Sequence, residues 1–162
     1  MDDQSLTYNQ SFFADIADSA AASAAVVVPE LIARFEPTSV TDIGCGTGAW
    51  LAAFVAGGVA DVTGIDDAGV DSLVPGLPSG AVQQANLTSP PPPDRRVDLV
   101  CSFEVAEHLD ERHADAFVAY LCSWAPVVVF SAAVPGQGGT HHVNERWPDY
   151  WSRRFADHGY VP

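Results

Sequence analysis

The sequence predicts an α/β protein that is built on a doubly wound parallel sheet. Short apolar runs rich in β-branched residues alternate with segments of helical periodicity between residues 38 and 159. Runs that are apolar at consecutive positions are typical of strands whose two faces are both covered by helices. A glycine-rich turn follows the first apolar run directly, as where a strand passes into a helix. With 162 residues, the chain is long enough for one domain with a single core.

Five segments have the length and composition of buried strands. They are Val40–Ile43, Val62–Asp66, Ala81–Ala85, Val97–Phe103 and Val127–Ala132. Apolar residues at helical spacing predict helices between several of these strands. The predicted helices are Ala49–Ala56, a short one near Ala68–Leu73, Glu111–Trp124 and Pro148–His158.

The N-terminal part has a different pattern. Residues 9–35 are predicted to form two helical pieces, because Pro29 is suited to the first turn of a second helix. We expect residues 1–36 to form a helical lid or cap segment and residues 37–162 to form the main domain. Tyr8, Phe12 and Phe13 are the residues from which a lid could close over a ligand.

The composition favours some partners and excludes others. The formal net charge is −14, and all seven basic residues are arginines. Such a surface repels phosphate backbones, which disfavours nucleic acid and favours a small-molecule partner.

No apolar stretch reaches the ~20 residues that a membrane span requires, and acidic residues precede the apolar run Ala20–Val28, unlike in a secretory signal. Three cysteines without C-x-x-C spacing are typical of buried thiols in a cytoplasmic protein.

The most informative segment is residues 42–48, Asp-Ile-Gly-Cys-Gly-Thr-Gly. Glycine enters left-handed backbone conformations and lets a ligand lie against the main chain, and the helix that follows presents free N–H groups to it. The spacing G-x-G-x-G differs from the G-x-G-x-x-G of dinucleotide-binding folds, and the Lys-Ser/Thr pair of a phosphate-binding loop is missing. A glycine turn without a ligand is the simplest alternative, and a nicotinamide-dependent dehydrogenase is another.

Residues 42–48 resemble the first motif of the class I S-adenosyl-L-methionine (SAM) dependent methyltransferases. The resemblance extends over residues 8–160 and implies a Rossmann-like sheet with SAM as cofactor, bound by the domain of residues 37–162. Methyltransferases of this class have seven strands, of which the last two form a hairpin beside the fifth. Only five strands fit this sequence, so we expect the C-terminal strand hairpin to be missing, as in a truncated chain. An edge strand left open could pair in a dimer, and the oligomeric state stays open.

The resemblance also implies which residues bind the cofactor. Asp42 would orient the turn or accept a hydrogen bond from the methionine ammonium group. Asp66, at the end of the second strand, would accept hydrogen bonds from the ribose hydroxyls, and its neighbour Asp67 is the alternative. Asn86 would bind the adenine amino group, unless it only ends the third strand. The other expected contacts are Gly44, Cys45, Gly46, Gly48, Leu87, Ser102 and Phe103.

Residues 103–109, Phe-Glu-Val-Ala-Glu-His-Leu, resemble the segment after the fourth strand in ubiquinone-pathway O-methyltransferases and small-RNA 2′-O-methyltransferases. There, a Glu-x-x-Glu-His pattern and a later histidine hold a divalent cation that coordinates the acceptor hydroxyl. The ligands of Mg²⁺ or a similar ion implied by this resemblance are Glu104, Glu107, His108 and His141. The candidate catalytic residues are His108, His141 and His142, because a neutral imidazole can accept a proton. A metal-free pocket that His108 shapes, or a histidine loop that merely packs, would also explain these residues.

Taken together, these features predict a SAM-dependent methyltransferase of small molecules. Methyl transfer to a hydroxyl oxygen, with help from a divalent metal, fits the residues best, and nitrogen or carbon acceptors stay open. The alternative is a module that binds SAM or S-adenosylhomocysteine (SAH) without catalysis.

Overall fold

The computed structural model describes residues 3–67 and 73–161, with side chains from residue 19 onward. The helices in this part of the chain are α1 (Asp3–Phe35), α2 (Ala49–Ala56), α3 (Ala114–Trp124) and α4 (Pro148–Asp157). The strands are β1 (Ser39–Ile43), β2 (Asp61–Asp66), β3 (Val82–Gln84), β4 (Leu99–Phe103) and β5 (Val127–Ser131). Two 3₁₀ turns between β4 and α3 span Ala106–His108 and Glu111–His113.

The five strands form one parallel sheet in the order β3-β2-β1-β4-β5. In the central strand β1, Val40 is aligned with Val62 of β2 on one side and with Leu99 of β4 on the other. The chain therefore winds outward from β1 to β3 and then in the opposite direction from β4 to β5. This is the doubly wound α/β sheet that the sequence predicted.

Helices cover both faces of the sheet. Successive side chains of a strand point to opposite faces, so Val40 and Leu99 pack with α1 and α2, whereas Ile43 and Val100 pack with α3 and α4. Because both faces are covered, β4 is buried at four of its five positions, and in β1 even the polar residues Thr41 and Asp42 are buried. Each predicted strand end lies within two residues of the observed one.

The N-terminal segment differs from the prediction. Instead of two helical pieces, α1 runs as one helix from Asp3 to Phe35, and Pro29 lies inside it. Proline lacks an N–H group, and its ring crowds the carbonyl one turn earlier. Ala24 and Val28 are nevertheless buried in the core against α2 and β1, and this packing stabilises the helix on the N-terminal side of the proline.

Two predictions concern residues that are only partly described. The helix predicted near Ala68–Leu73 falls mostly on residues 68–72, which lie outside the described residues, and Leu73 itself is not helical. The candidate lid residues lie in α1 ahead of the first described side chain: Tyr8, Phe12 and Phe13. The division of the chain at residue 36 stays a prediction.

The topology fixes where a ligand can bind. The carboxyl ends of β1 and β4 lie side by side at the point where the winding reverses, and α/β proteins bind ligands at this point. Among the described residues, β5 is an edge strand with no partner on its outer side, as expected if the C-terminal hairpin is missing. Within the same residues, no helix combines the length and the apolar character that crossing a membrane demands.

Candidate active site

The turn between β1 and α2 depends on three glycines. Gly44, Gly46 and Gly48 have φ angles of 81°, 50° and 82°, in the left-handed region that residues with a side chain rarely adopt. The N–H of Gly48 donates to the carbonyl of Cys45 at 2.8 Å and closes the turn directly before α2 begins. The N–H of Gly44 donates to the carbonyl of Ile65 and holds the turn against β2.

The surroundings of the three glycines differ. A Cβ atom at Gly44 would lie 2.2 Å from Cγ2 of Val105, and one at Gly48 would lie 2.5 Å from Cδ1 of Leu77. A Cβ atom at Gly46 would meet no described atom within 4 Å. Close packing therefore requires glycine at two of these positions, whereas Gly46 borders open space in which a ligand can lie against the backbone.

Two carboxylates lie at this turn. Asp66 ends β2, and its Oδ2 accepts a hydrogen bond from the N–H of Gly46 at 2.7 Å. Asp42 is 1% exposed, and its Oδ2 has no hydrogen-bond partner among the described residues. Burial, and to a lesser degree the negative charge of Asp66, raises the pKa of Asp42 to about 7. A positively charged group of a ligand would compensate for this buried carboxylate.

The residues expected near adenine lie around the end of β3. Oδ1 of Asn86 accepts hydrogen bonds from the N–H and the hydroxyl of Thr88, at 2.8 and 2.6 Å. This oxygen therefore closes the local turn, and the NH₂ group is the part of the amide that can face a ligand. Leu87 is buried in the core. The backbone carbonyl of Asp67 accepts from Nε2 of Gln84, which ties the end of β2 to β3.

Three other residues from the cofactor prediction contribute to the core. Ser102 is fully buried, and its hydroxyl donates to the carbonyl of Ile43 at 2.9 Å, which joins β4 to β1. Cys45 is buried with a free thiol. Phe103 is half-buried and stacks on Trp50, with ring centroids 4.0 Å apart. Of these three side chains, Phe103 is the one that is only partly buried.

A second polar group follows β4. The turn Ala106–His108 brings Glu107 and His108 to the carboxyl edge of the sheet, and the loop after β5 adds His142. One carboxylate oxygen of Glu107 and one ring nitrogen of each histidine lie within 4.8 Å of one another. The two imidazoles meet edge to face, with centroids 4.9 Å apart. Oxygen and imidazole donors at this separation are suited to a divalent cation.

The backbone holds the two halves of this cluster together. The N–H groups of Val143 and Asn144 both donate to the carbonyl of Glu107, at 2.8 and 3.0 Å. The side chain of Asn144 is buried as well. The loop after β5 is therefore fixed on the turn after β4, although 35 residues separate the two along the chain (142 − 107).

The electrostatics of the cluster favour a bound cation. Glu107 is fully buried, and neither of its carboxylate oxygens makes a well-aligned hydrogen bond to a described residue. Burial raises the pKa of Glu107 to about 7, with a further contribution from the charge of Glu104. Burial, followed by the electrostatic effect of the neighbouring His142, lowers the pKa of His108. A cation would stabilise the buried carboxylate and bind the neutral imidazole.

Two of the predicted cation ligands lie beside the cluster without belonging to it. Oε1 of Glu104 accepts from the hydroxyl of Ser131 at 2.7 Å, and Oε2 accepts from Nε2 of Gln137 at 3.0 Å. His141 is exposed, with a left-handed φ of 62°. The neighbouring His142 takes the place in the cluster that we expected His141 to have.

Sequence reasoning missed Glu145. Its Oε1 lies 3.0 Å from Nδ1 of His142, and the His142 side chain is only 12% exposed. The sequence gives little sign of this contact, because His142 and Glu145 lie in a loop, where a spacing of three residues does not place two side chains on one face as it does in a helix.

Comparison with known proteins identifies the family of this chain. A family model described as a methyltransferase domain matches residues 17–162. The chain belongs to this family. The fold of this methyltransferase domain is that of the class I SAM-dependent enzymes. The sequence matches none of the curated proteins with which it was compared.

Several solved structures share the fold of this methyltransferase domain. Streptomyces venezuelae DesVI is 21% identical with a TM-score of 0.60, and the match covers 86% of this chain and 61% of DesVI. The magnesium protoporphyrin IX methyltransferase ChlM of Synechocystis PCC 6803, solved with bound SAH, is 16% identical with a TM-score of 0.63, and the match covers 90% and 73%. The methyltransferase domain of bacterial CtHen1 is 21% identical with a TM-score of 0.63, and 85% of each chain is covered. These likenesses establish the Rossmann-like fold.

Proposed function

We propose that this methyltransferase domain transfers the methyl group of SAM to a hydroxyl oxygen of a small molecule, with a divalent cation held by Glu107, His108 and His142. The observation that carries the proposal is the position of two polar groups at one edge of the sheet. The glycine turn follows β1, and Asp66 ends the neighbouring strand β2. Two members of the Glu-His cluster, which consists of Glu107, His108 and His142, follow β4 on the other side of β1. A donor site and an acceptor site that share one edge suit a group transfer.

The glycine turn supports the binding of SAM. Open space beside Gly46 lets the cofactor approach the backbone. Asp66 stands at the end of β2, where a carboxylate can accept hydrogen bonds from ribose hydroxyls. The buried Asp42, with one oxygen unpaired among the described residues, can accept from the methionine ammonium.

The donor set supports a hard or borderline cation. The carboxylate of Glu107 suits Mg²⁺ and Mn²⁺, and the two imidazoles favour Mn²⁺ or Fe²⁺ over Mg²⁺. When bound, SAM would supply an electrophilic methyl group, and a cation held by Glu107, His108 and His142 would lower the pKa of the attacking hydroxyl. A neutral imidazole that binds the cation has no lone pair left, so with His108 as a ligand the hydroxyl proton would pass to solvent. Where no cation is bound, His108, whose pKa burial lowers, can accept this proton instead.

Other properties support a small-molecule acceptor in a cytoplasmic setting. The net charge of −14 repels nucleic acid, and the three buried thiols are free, as in a reducing compartment. We propose that residues 1–36 form a cap segment that Ala24 and Val28 anchor in the core, and that the part of α1 before Ala24 acts as a lid over the acceptor.

The test is a turnover assay with chelated protein. The domain, freed of metal with EDTA, is incubated with methyl-labelled SAM and a panel of phenols, catechols and sugars, with and without Mn²⁺ or Mg²⁺. We expect transfer of label to a hydroxyl compound, which the metal increases and EDTA abolishes. Binding of SAH by calorimetry without transfer of label to any compound of the panel would instead support a binding module without catalysis.

A further inference from the structure

We infer that Glu145 is a positioning residue that holds Nδ1 of His142 and so leaves Nε2 as the nitrogen available to a cation at the cluster of Glu107, His108 and His142. The inference deepens the proposed function, because His142 is one of the proposed cation ligands. It concerns a contact among the chain's own residues, so it can be tested in the absence of any metal.

The carboxylate of Glu145 is itself held in place. Its Oε2 accepts from the N–H of Gly136 at 2.8 Å, and its Oε1 accepts from the N–H of Gly138 at 3.0 Å. The same Oε1 lies 3.0 Å from Nδ1 of His142. With both oxygens bound to the backbone of one loop, Glu145 presents a fixed acceptor to the imidazole.

The opposite side of the ring is confined too. A Cβ atom at Gly139 would lie 2.3 Å from Nε2 of His142 and 2.4 Å from its Cε1. The backbone of Gly139 therefore lies directly beside the ring, and no larger residue fits there without displacing it. The adjacent residues Val143 and Asn144 donate to the carbonyl of Glu107, which sets the position of the ring relative to the cluster.

These contacts determine the chemistry of the two nitrogens. An ionised carboxylate can only accept a hydrogen bond, so the Nδ1–H of His142 donates one to Glu145. A neutral imidazole carries one proton, so Nε2 keeps its lone pair. A histidine whose second nitrogen bonds to a carboxylate binds a metal in a fixed tautomer and orientation, and loss of such a partner typically lowers metal affinity about 10- to 100-fold. Glu145 therefore prepares His142 as a ligand.

The experiment compares the wild-type domain with Glu145→Gln, with Asp149→Asn as the control. Asp149 is an exposed carboxylate on α4 that pairs with Arg153, so its loss leaves the histidine loop intact. Long-range ¹H–¹⁵N spectra of metal-free protein at about pH 8, where an ordinary imidazole is neutral, report the tautomer of His142. Calorimetry with MnCl₂ reports the metal affinity, and calorimetry with SAH reports the integrity of the cofactor site.

We expect a single tautomer of His142 with a proton on Nδ1 in the wild type and in Asp149→Asn, and a mixture of tautomers in Glu145→Gln. The affinity for Mn²⁺ falls about 10- to 100-fold in Glu145→Gln, whereas the affinity for SAH is unchanged. An unchanged tautomer in Glu145→Gln would overturn the inference. A changed tautomer in a domain whose wild type binds no Mn²⁺ would support the role of Glu145 and remove the metal from the proposed function.

A second variant keeps the test valid if Glu145→Gln does not fold. Glu145→Asp retains the charge, but its side chain is one methylene shorter and draws back from Nδ1 of His142. We expect an intermediate mixture of tautomers. A wild-type spectrum would mean that charge alone suffices and that the fixed contact does not position the ring.

Discussion

The backbone N–H of Gly46 donates to Oδ2 of Asp66 at 2.7 Å. This bond connects the turn after β1 with the end of β2 and places a carboxylate beside the one glycine of the turn that borders open space. The residue proposed to bind the ribose and the backbone proposed to contact the methionine moiety thus form one unit.

This relationship predicts the effect of removing Asp66. Asp66→Ala should weaken SAH binding about 10- to 100-fold, because a hydrogen bond to a charged group contributes roughly 1.5–3 kcal/mol. Isothermal titration calorimetry measures the change. Asp67→Ala is the matched control, since its side chain is next in sequence and its backbone contact to Gln84 survives the substitution. If Asp67→Ala lost more SAH affinity than Asp66→Ala, Asp67 would be the residue that binds the ribose.

The surroundings of Gly46 predict a variant that folds but does not bind. Gly46→Ala places a methyl group in the open space, and Gly46→Val fills more of it. A side chain at φ 50° costs about 1–2 kcal/mol, which should lower Tm by a few degrees. We expect SAH binding to fall more than 100-fold in Gly46→Val, because the side chain occupies the path of the cofactor.

Gly58 offers the matched control for that variant. Like Gly46, Gly58 has a left-handed φ, here 97°, and a Cβ atom there would meet no described atom within 4 Å. Unlike Gly46, it lies after the C-terminal end of α2, at the opposite end of that helix from the glycine turn. Gly58→Ala should lower Tm by a similar amount and leave the SAH affinity unchanged. Retention of binding in Gly46→Val would show that the cofactor lies elsewhere.

The raised pKa of Asp42 predicts a pH dependence. The folded protein holds this proton up to about pH 7, whereas the ordinary pKa is 3.8. Between these values the folded state binds more protons than the unfolded state, so this group lowers the free energy of unfolding as pH rises from about 4 to 7. Asp42→Asn should remove this group's share of the fall in the free energy of unfolding. Chemical denaturation of both proteins at pH 5 and pH 8 measures the difference.

The same group should couple cofactor binding to pH. An ammonium group binds the ionised carboxylate, whose fraction rises about fivefold between pH 6 and pH 7 when the pKa is about 7. The SAH affinity of the wild type should rise by that factor, and that of Asp42→Asn should be lower and nearly constant. A wild-type affinity that is constant over this range would contradict a direct contact between Asp42 and the ammonium.

Much of the fold could be predicted from the sequence, because its local signals and its tertiary packing agree. Strands covered on both faces are rich in apolar and β-branched residues. Such a run located β4, and a short β-branched run directly before the glycine turn located β1. Pro29 shows where local signals fail: its preference for a helix start was outweighed by the burial of Ala24 and Val28.

The site was only partly predictable, because loop geometry decides which neighbour faces inward. The tandem histidines after β5 were recognised, but the left-handed φ of His141 turns the chain so that His142 enters the cluster. Nothing in the sequence indicates that φ. Glu145 was missed because its contacts depend on backbone N–H groups of Gly136 and Gly138, which only the folded loop brings together.

The buried Glu107 predicts opposite effects on stability and metal binding. A buried carboxylate without a good hydrogen bond is unfavourable, so Glu107→Gln should raise Tm in EDTA at pH 8 or leave it unchanged. Excess Mn²⁺ should raise Tm of the wild type, since it binds the folded state only, but not that of the variant. Glu30→Gln, an exposed change on α1, should keep the full response to Mn²⁺. A response of Glu107→Gln equal to the wild type would exclude Glu107 as a ligand.

The two adjacent histidines allow the sharpest test of the cluster. His142→Ala removes a ring nitrogen that lies within 4.8 Å of donors on Glu107 and His108, so Mn²⁺ affinity and metal-stimulated turnover should fall about 10- to 100-fold. His141→Ala changes an exposed side chain and should alter either quantity less than twofold. Calorimetry with MnCl₂ and the labelled-methyl assay, each with and without EDTA, separate the variants. If His141→Ala had the larger effect, the loop would rearrange when the metal binds, and the ligand would be His141, as the sequence alone suggested.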